Sequence, residues 1–296
     1  LGGLSTSCIR EDLSDCFSTN TLLLSYKGDG ETEIFGDKIC RVEMYVFDAE
    51  NRCVANGVLP PNEVEARAAK LPQLKPGDYK YPDYRIVCLG NTHHTQVGNV
   101  ASCDFSRITF ADGGYFAGET VSGNDSLYYA TTPFTVEPFT GREDDNKTRL
   151  VEFASSHYDV SVEVAGIPDA GMNAAAASMP TLEICGVSPC TDFENRACGE
   201  ATDYLLETEY DGGSNLLTAR TNIMRHTDHS QMGVCLRSPD GRTLLAEVNL
   251  AEFLAENPVI DCSRNEVLIP IRMEFVSGKV VVTVPEWYIE DVKPEF

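Results

Sequence analysis

Between residues 158 and 165 the chain alternates strictly, with Tyr158, Val160, Val162 and Val164 apolar and Asp159, Ser161 and Glu163 polar. A period of two residues is the mark of a β-strand that buries one face. The pattern recurs along the chain. Val42, Met44 and Val46 alternate with Arg41, Glu43 and Tyr45, and residues 181–185 form another such run entered from Pro180. Further strands are predicted at residues 21–26, 85–89, 126–130, 149–153, 216–220, 232–236, 267–275 and 279–284. Good turn chemistry links them: Asp48-Ala49-Glu50-Asn51, Ser238-Pro239-Asp240-Gly241 and Ser277-Gly278 each read as hairpin turns. Helices are few. Pro61, Asn62 and Glu63 open one that the alanines at 66, 68 and 69 favour as far as residue 71, and residues 250–254 form a second, ended by Asn257-Pro258. Short strands with no strand–helix–strand rhythm predict an all-β fold of two sandwiches with short helices in the connections.

The 296 residues suit two domains. The polar run at 141–147 has no large apolar residue and marks the junction, so the expected division is an N-terminal segment 1–20, a domain 21–147 and a domain 148–296. Lys plus Arg number 23 against 46 Asp plus Glu, a net charge of −23. Phosphate neutralisation needs clustered cations, so no nucleic-acid partner is expected. Charge-driven adhesion to anionic lipid is disfavoured on the same ground.

Residues 1–7 are small or apolar and read as the tail of a secretory signal, with Cys8 directly after them. A cysteine in that place is where a bacterial lipoprotein is acylated; the alternative is an ordinary free or bridged cysteine. Eleven cysteines are present, an odd number that fits one acylated Cys8 and ten others. Those ten are either disulfide-bonded in an exported protein or buried as small apolar residues. Cys185, Cys190 and Cys198 are close enough in sequence to link within one loop.

These pieces together resemble the fimbrillin-associated anchor lipoproteins of type V fimbriae. The residues that carry the resemblance are Cys8-Ile9-Arg10-Glu11-Asp12-Leu13-Ser14-Asp15-Cys16, the strand at 42–48, the turn at 74–79 with Gly90-Asn91 after it, Asn249-Leu250, and the segment 280–287. The resemblance implies two transthyretin-like β-sandwich domains, a lipid on Cys8, attachment to the outer membrane through that lipid, and fimbrial stalk subunits as partners. Polymerising subunits of such fimbriae lose a first strand to an arginine-specific protease and accept a strand from a neighbour in the groove left open. Arg10 is the only arginine before Arg41, so a cut there leaves residues 22–26 in place and the groove filled. That favours an anchor that terminates or regulates growth. Contact with the neighbouring subunit is expected from the C-terminal segment, at Val280, Val282, Val284, Trp287 and Tyr288. The alternatives are a tip or accessory fimbrillin acting as an adhesin, or a glycan-binding surface lipoprotein.

No catalytic, cofactor or metal site is expected. His226 and His229 could flank a metal with Asp228, but residues three apart on a strand face opposite sides. The acidic run Glu143-Asp144-Asp145 lacks the glycine bend of a calcium loop. No G-x-S-x-G and no glycine-rich phosphate cradle occurs.

Overall fold

The computed structural model describes residues 20–70, 83–101, 105–135, 147–168 and 179–291. Cys8, the turn at 74–79 and the polar run at 141–146 lie outside them. The first half runs through β1 (Asn20–Ser25), α1 (Phe35–Lys38), β2 (Val42–Asp48), β3 (Cys53–Val58), α2 (Pro61–Glu65), β4 (Ala68–Lys70), β5 (Asp83–Gly90), β6 (Thr95–Gly98), β7 (Thr109–Asp112), α3 (Gly113–Ala117), β8 (Tyr128–Thr135), β9 (Lys147–Glu152) and β10 (Ala154–Ser155). The second runs through β11 (His157–Ala165), β12 (Thr181–Val187), β13 (Cys190–Asp192), β14 (Ala197–Cys198), β15 (Thr202–Leu205), β16 (Thr208–Asp211), β17 (Leu216–Met224), β18 (Gly233–Arg237), β19 (Leu244–Asn249), α4 (Leu250–Glu256), β20 (Leu268–Val276), β21 (Lys279–Thr283) and α5 (Glu286–Asp291). The fold is all-β, as its alternating runs predict.

In the first half a sheet of order β4-β1-β9 covers one of order β10-β8-β5-β2-β3. Leu22, Leu24, Ala69 and Val151 from the smaller sheet meet Val42, Met44, Val46, Ile86 and Cys88 from the larger. The single buried face expected for β2 is corrected. Tyr45 and Phe47, on the strand's opposite face, are 3% and 0% exposed because a second aromatic layer covers them. The helix expected from Pro61 to residue 71 is also shorter than its alanines suggest. It stops at Glu65, Arg67 takes a left-handed φ of 54°, and Ala68–Lys70 become β4 beside β1. Pairing with β1 and burial of Ala69 outweigh the small helix preference of alanine.

In the second half β11 lies between β17 and β20 in a sheet of order β16-β17-β11-β20-β21. Its inward residues Tyr158, Val160, Val162 and Val164 are those the alternation selects. This sheet packs on β15-β12-β18-β19 through Leu182, Ile184, Val234, Ile269 and Ile271.

A further sheet, β14-β13-β7-β6, spans the two halves. Cys190 pairs with Ala111, Thr191 with Phe110 and Asp192 with Thr109. Phe193, 1% exposed, enters the aromatic layer on the outer face of β2. Its ring lies edge-on to Tyr45 at 5.1 Å, to Phe47 at 5.8 Å and to Phe105 at 5.9 Å. The chain passes between the cores along β9, whose ladder with β1 starts at Lys147.

Candidate functional site

Strand β1 is central in its sheet, with both edges occupied. It runs antiparallel to β4, Leu22 opposite Ala69, and parallel to β9 from Asn20–Lys147 to Ser25–Glu152. Its inward side chains Leu22 and Leu24, and Tyr26 just after it, are fully buried, whereas Leu23 is 37% exposed. Burying a leucine contributes roughly 1.5–3 kcal/mol, so the strand is held by side chains as well as by its ladders.

The end of β1 is fixed by polar groups that alternation alone does not reveal. The Glu33 carboxylate accepts from the Ser25 hydroxyl at 2.7 Å, from the Tyr26 N–H at 2.9 Å and from the Phe35 N–H at 3.0 Å. It also pairs with the Arg67 guanidinium at 2.8 Å. Burial opposes ionisation of Glu33, but these donors together hold its carboxyl below the usual range. Tyr26 sits edge-on to Tyr128 at 4.8 Å and donates its hydroxyl to Glu266 of the second half. Lys38 pairs with the same Glu266 at 2.7 Å. Asp29 accepts from the Asn265 N–H at 2.7 Å and the Glu266 N–H at 3.0 Å. The turn after β1 is therefore tied to the second half.

Among the described residues β21 pairs only with β20, so the C-terminal hairpin forms an open edge there. Of the five residues expected to touch a neighbouring subunit, Val280, Val282 and Tyr288 pack on the second core, and Val284 is 8% exposed. The phase of the strand puts Val281, at 46% exposure, on the outer face. Trp287 is 40% exposed, and its indole N–H donates to Glu163 at 2.8 Å. The edge thus offers its backbone, Val281 and Trp287. Beside it, Leu244 and Leu245 on β19 are 45% and 39% exposed.

With this geometry in view, comparison with known families is decisive. Residues 13–293 match the family described as fimbrillin-A associated anchor proteins Mfa1 and Mfa2. The chain belongs to this family. Solved structures share the fold at low identity. A candidate adhesin from Bacteroides ovatus superposes with a TM-score of 0.68 at 14% identity, over 92% of this chain and 94% of that one. The fimbrial anchor protein Mfa2 from Porphyromonas gingivalis gives 0.62 at 16% identity, over 90% and 96%. A structure described as candidate polysaccharide-binding proteins from Bacteroides thetaiotaomicron gives 0.65 at 10% identity, over 90% and 95%. No curated protein matches the chain.

In this member of the family, a cleft of about 730 Å³ separates the halves, lined by Lys38, Tyr128, His157, Asp159, Arg220 and Glu266 among others. Its charges are largely engaged with one another. Arg220 pairs with Asp159, and Lys38 and Tyr128 both reach Glu266. His226 is a core histidine. Its Nδ1–H donates to the Met224 carbonyl, and its Nε2 accepts from the Ser188 N–H at 2.9 Å. Burial lowers its pKa. Among the described residues no group of three or more His, Cys, Asp or Glu is arranged for a metal. No helix among them is long and apolar enough to cross a membrane.

The sequence reading missed the hairpin that carries Phe193, although a signal was present. Residues 48–52 and 192–196 share the pattern Asp-x-Glu-Asn-Arg. Both fold alike. Asp48 accepts from the N–H groups of Glu50 and Arg52, each at 2.9 Å, and Asp192 from those of Glu194 and Arg196, each at 2.9 Å. Asn51 and Asn195 take left-handed φ values of 60° and 61°.

Proposed function

We propose that the chain is a non-enzymatic anchor subunit of a fimbria, held at the outer membrane by a lipid on Cys8, that carries the neighbouring subunit without accepting a strand into its first sandwich. One observation carries the reading: β1 fills the centre of its sheet, with Leu22, Leu24 and Tyr26 buried. A sandwich closed by its own strand has no groove for another, so growth stops on that side. The organisation follows as a lipidated segment 1–20 and two sandwich domains meeting near β9. In this reading the stalk subunit is met by the C-terminal edge. Strand addition there would use the free backbone of β21, with Val281 and Trp287 as outward side chains.

The test is to mix the full chain with purified stalk subunits and weigh the complexes. The expected product contains one anchor and one stalk subunit at that edge, and truncation after Val284 abolishes it. Normal capture by the truncated chain, which keeps β21, would remove the segment after Val284 as the contact, and a subunit added at the β1 side would overturn the anchor reading.

A further inference from the structure

Four cysteines of the second half stand as two pairs on facing strands. The Cys185 thiol on β12 donates to the Cys235 sulfur on β18 at 2.8 Å. The bulge in β12 at Ile184–Val187, with Gly186 at a φ of 73°, lies beside this contact. Cys190 and Cys198 sit directly opposite each other on β13 and β14. Opposed residues of an antiparallel pair have Cα atoms about 4.5–5.5 Å apart, inside the range a disulfide spans. The sulfur beside Cys185 is thus that of Cys235, fifty residues on.

We infer that Cys185–Cys235 and Cys190–Cys198 close as two disulfides in the exported protein, the second locking the hairpin that fastens the two halves together. The inference rests on the exported location proposed above, which supplies oxidising surroundings. The oxidant is a small-molecule or protein disulfide. One cysteine thiolate of a pair attacks it, expelling one thiol and forming a mixed disulfide. The second cysteine, giving up its proton, then attacks the sulfur of the first and expels the other thiol. Two cysteines are oxidised, one disulfide is reduced to two thiols, and no other reactant is needed.

The surroundings favour this chemistry. The Cys198 thiol and then the Tyr115 hydroxyl donate toward the Cys190 sulfur, and together they lower its pKa against the effect of burial, while that of Cys198 is raised. Position gives the second bridge its consequence. Cys190 pairs with Ala111 of the first half, and Phe193 follows it into the aromatic layer. Closing the hairpin at its base removes the conformations in which Phe193 withdraws and β13 leaves β7.

The experiment is non-reducing peptide mapping after thiol alkylation, on full-length protein from its native envelope and on protein folded in a glutathione–glutathione disulfide mixture. The expected result in both is linked peptides for the two named pairs, with Cys40, which is exposed, alkylated. Reduction, or Cys198→Ser alone, should lower Tm, by roughly 5–10 °C for each bridge lost, and Cys40→Ser should leave it unchanged. Alkylation of all four cysteines in the native protein would overturn the inference, as would a different pairing. The same spectra report the acyl group on Cys8 independently. Bridges without a lipid would sink the anchoring reading alone, and a lipid without bridges would sink this inference alone.

Discussion

Replacing Leu24 with alanine tests whether β1 belongs to the fold or merely lies on it. Leu24 is fully buried among the side chains of both sheets of the first sandwich. Its N–H donates to the Arg67 carbonyl at 2.9 Å, so backbone pairing continues past β4 and survives the substitution. What is lost is the transfer energy of the removed carbons plus the cavity they leave, about 2–5 kcal/mol for a site of this burial. Leu23, one residue earlier, points outward at 37% exposure, and its change to alanine should cost under about 1 kcal/mol. Urea unfolding followed by far-UV circular dichroism measures both variants, provided the slope with denaturant stays constant. The sole tryptophan, Trp287, lies in the second half, so its emission shows separately whether damage stays in the first sandwich. Equal costs for the two variants, or a Leu24→Ala cost below about 1 kcal/mol, would refute the claim that β1 is an integral core strand.

Three further outcomes are expected. Phe193→Ala should cost about 3–5 kcal/mol, and calorimetry should then resolve two transitions where the parent shows one, because the aromatic layer joining the halves is lost. Gly186→Ala should destabilise by about 3 kcal/mol or more, measured by chemical denaturation, since a Cβ there would lie 2.0 Å from the Gln231 carbonyl oxygen and φ is 73°. Glu33→Gln should act through pH. The folded carboxyl has a lowered pKa, so its stabilisation is complete above the ordinary value of 4.5 and fades as pH falls through the lower folded value. Parent and variant Tm curves should therefore differ at neutral pH and converge in acid; a gap that persists at low pH would contradict the linkage.

Alternation was legible wherever one face of a strand meets a core and the other meets water, as in β11 and the start of β2. It failed where both faces are covered. Tyr45 looks like a solvent-side residue because nothing local encodes the Phe193 hairpin that arrives from the other half of the chain to cover it. The 61–71 segment misled for a related reason, since the local preference of alanine for helix gives way to a distant partner, β1. The C-terminal strand was legible, but which of its valines face the core was not, because a run of valines at 280–282 carries no phase. Glu33 was invisible as a clamp on β1, because nothing in its local sequence shows that its carboxylate lies among the donors of Ser25, Tyr26 and Phe35.

The intact mass of the mature protein extracted from its native envelope tests the central claim most directly. The account predicts one unbroken chain that starts at an acylated Cys8 and retains β1. A lipid-free chain starting beyond Ser25 would contradict it, because the first sandwich would then have lost its own strand and stand open to another subunit's.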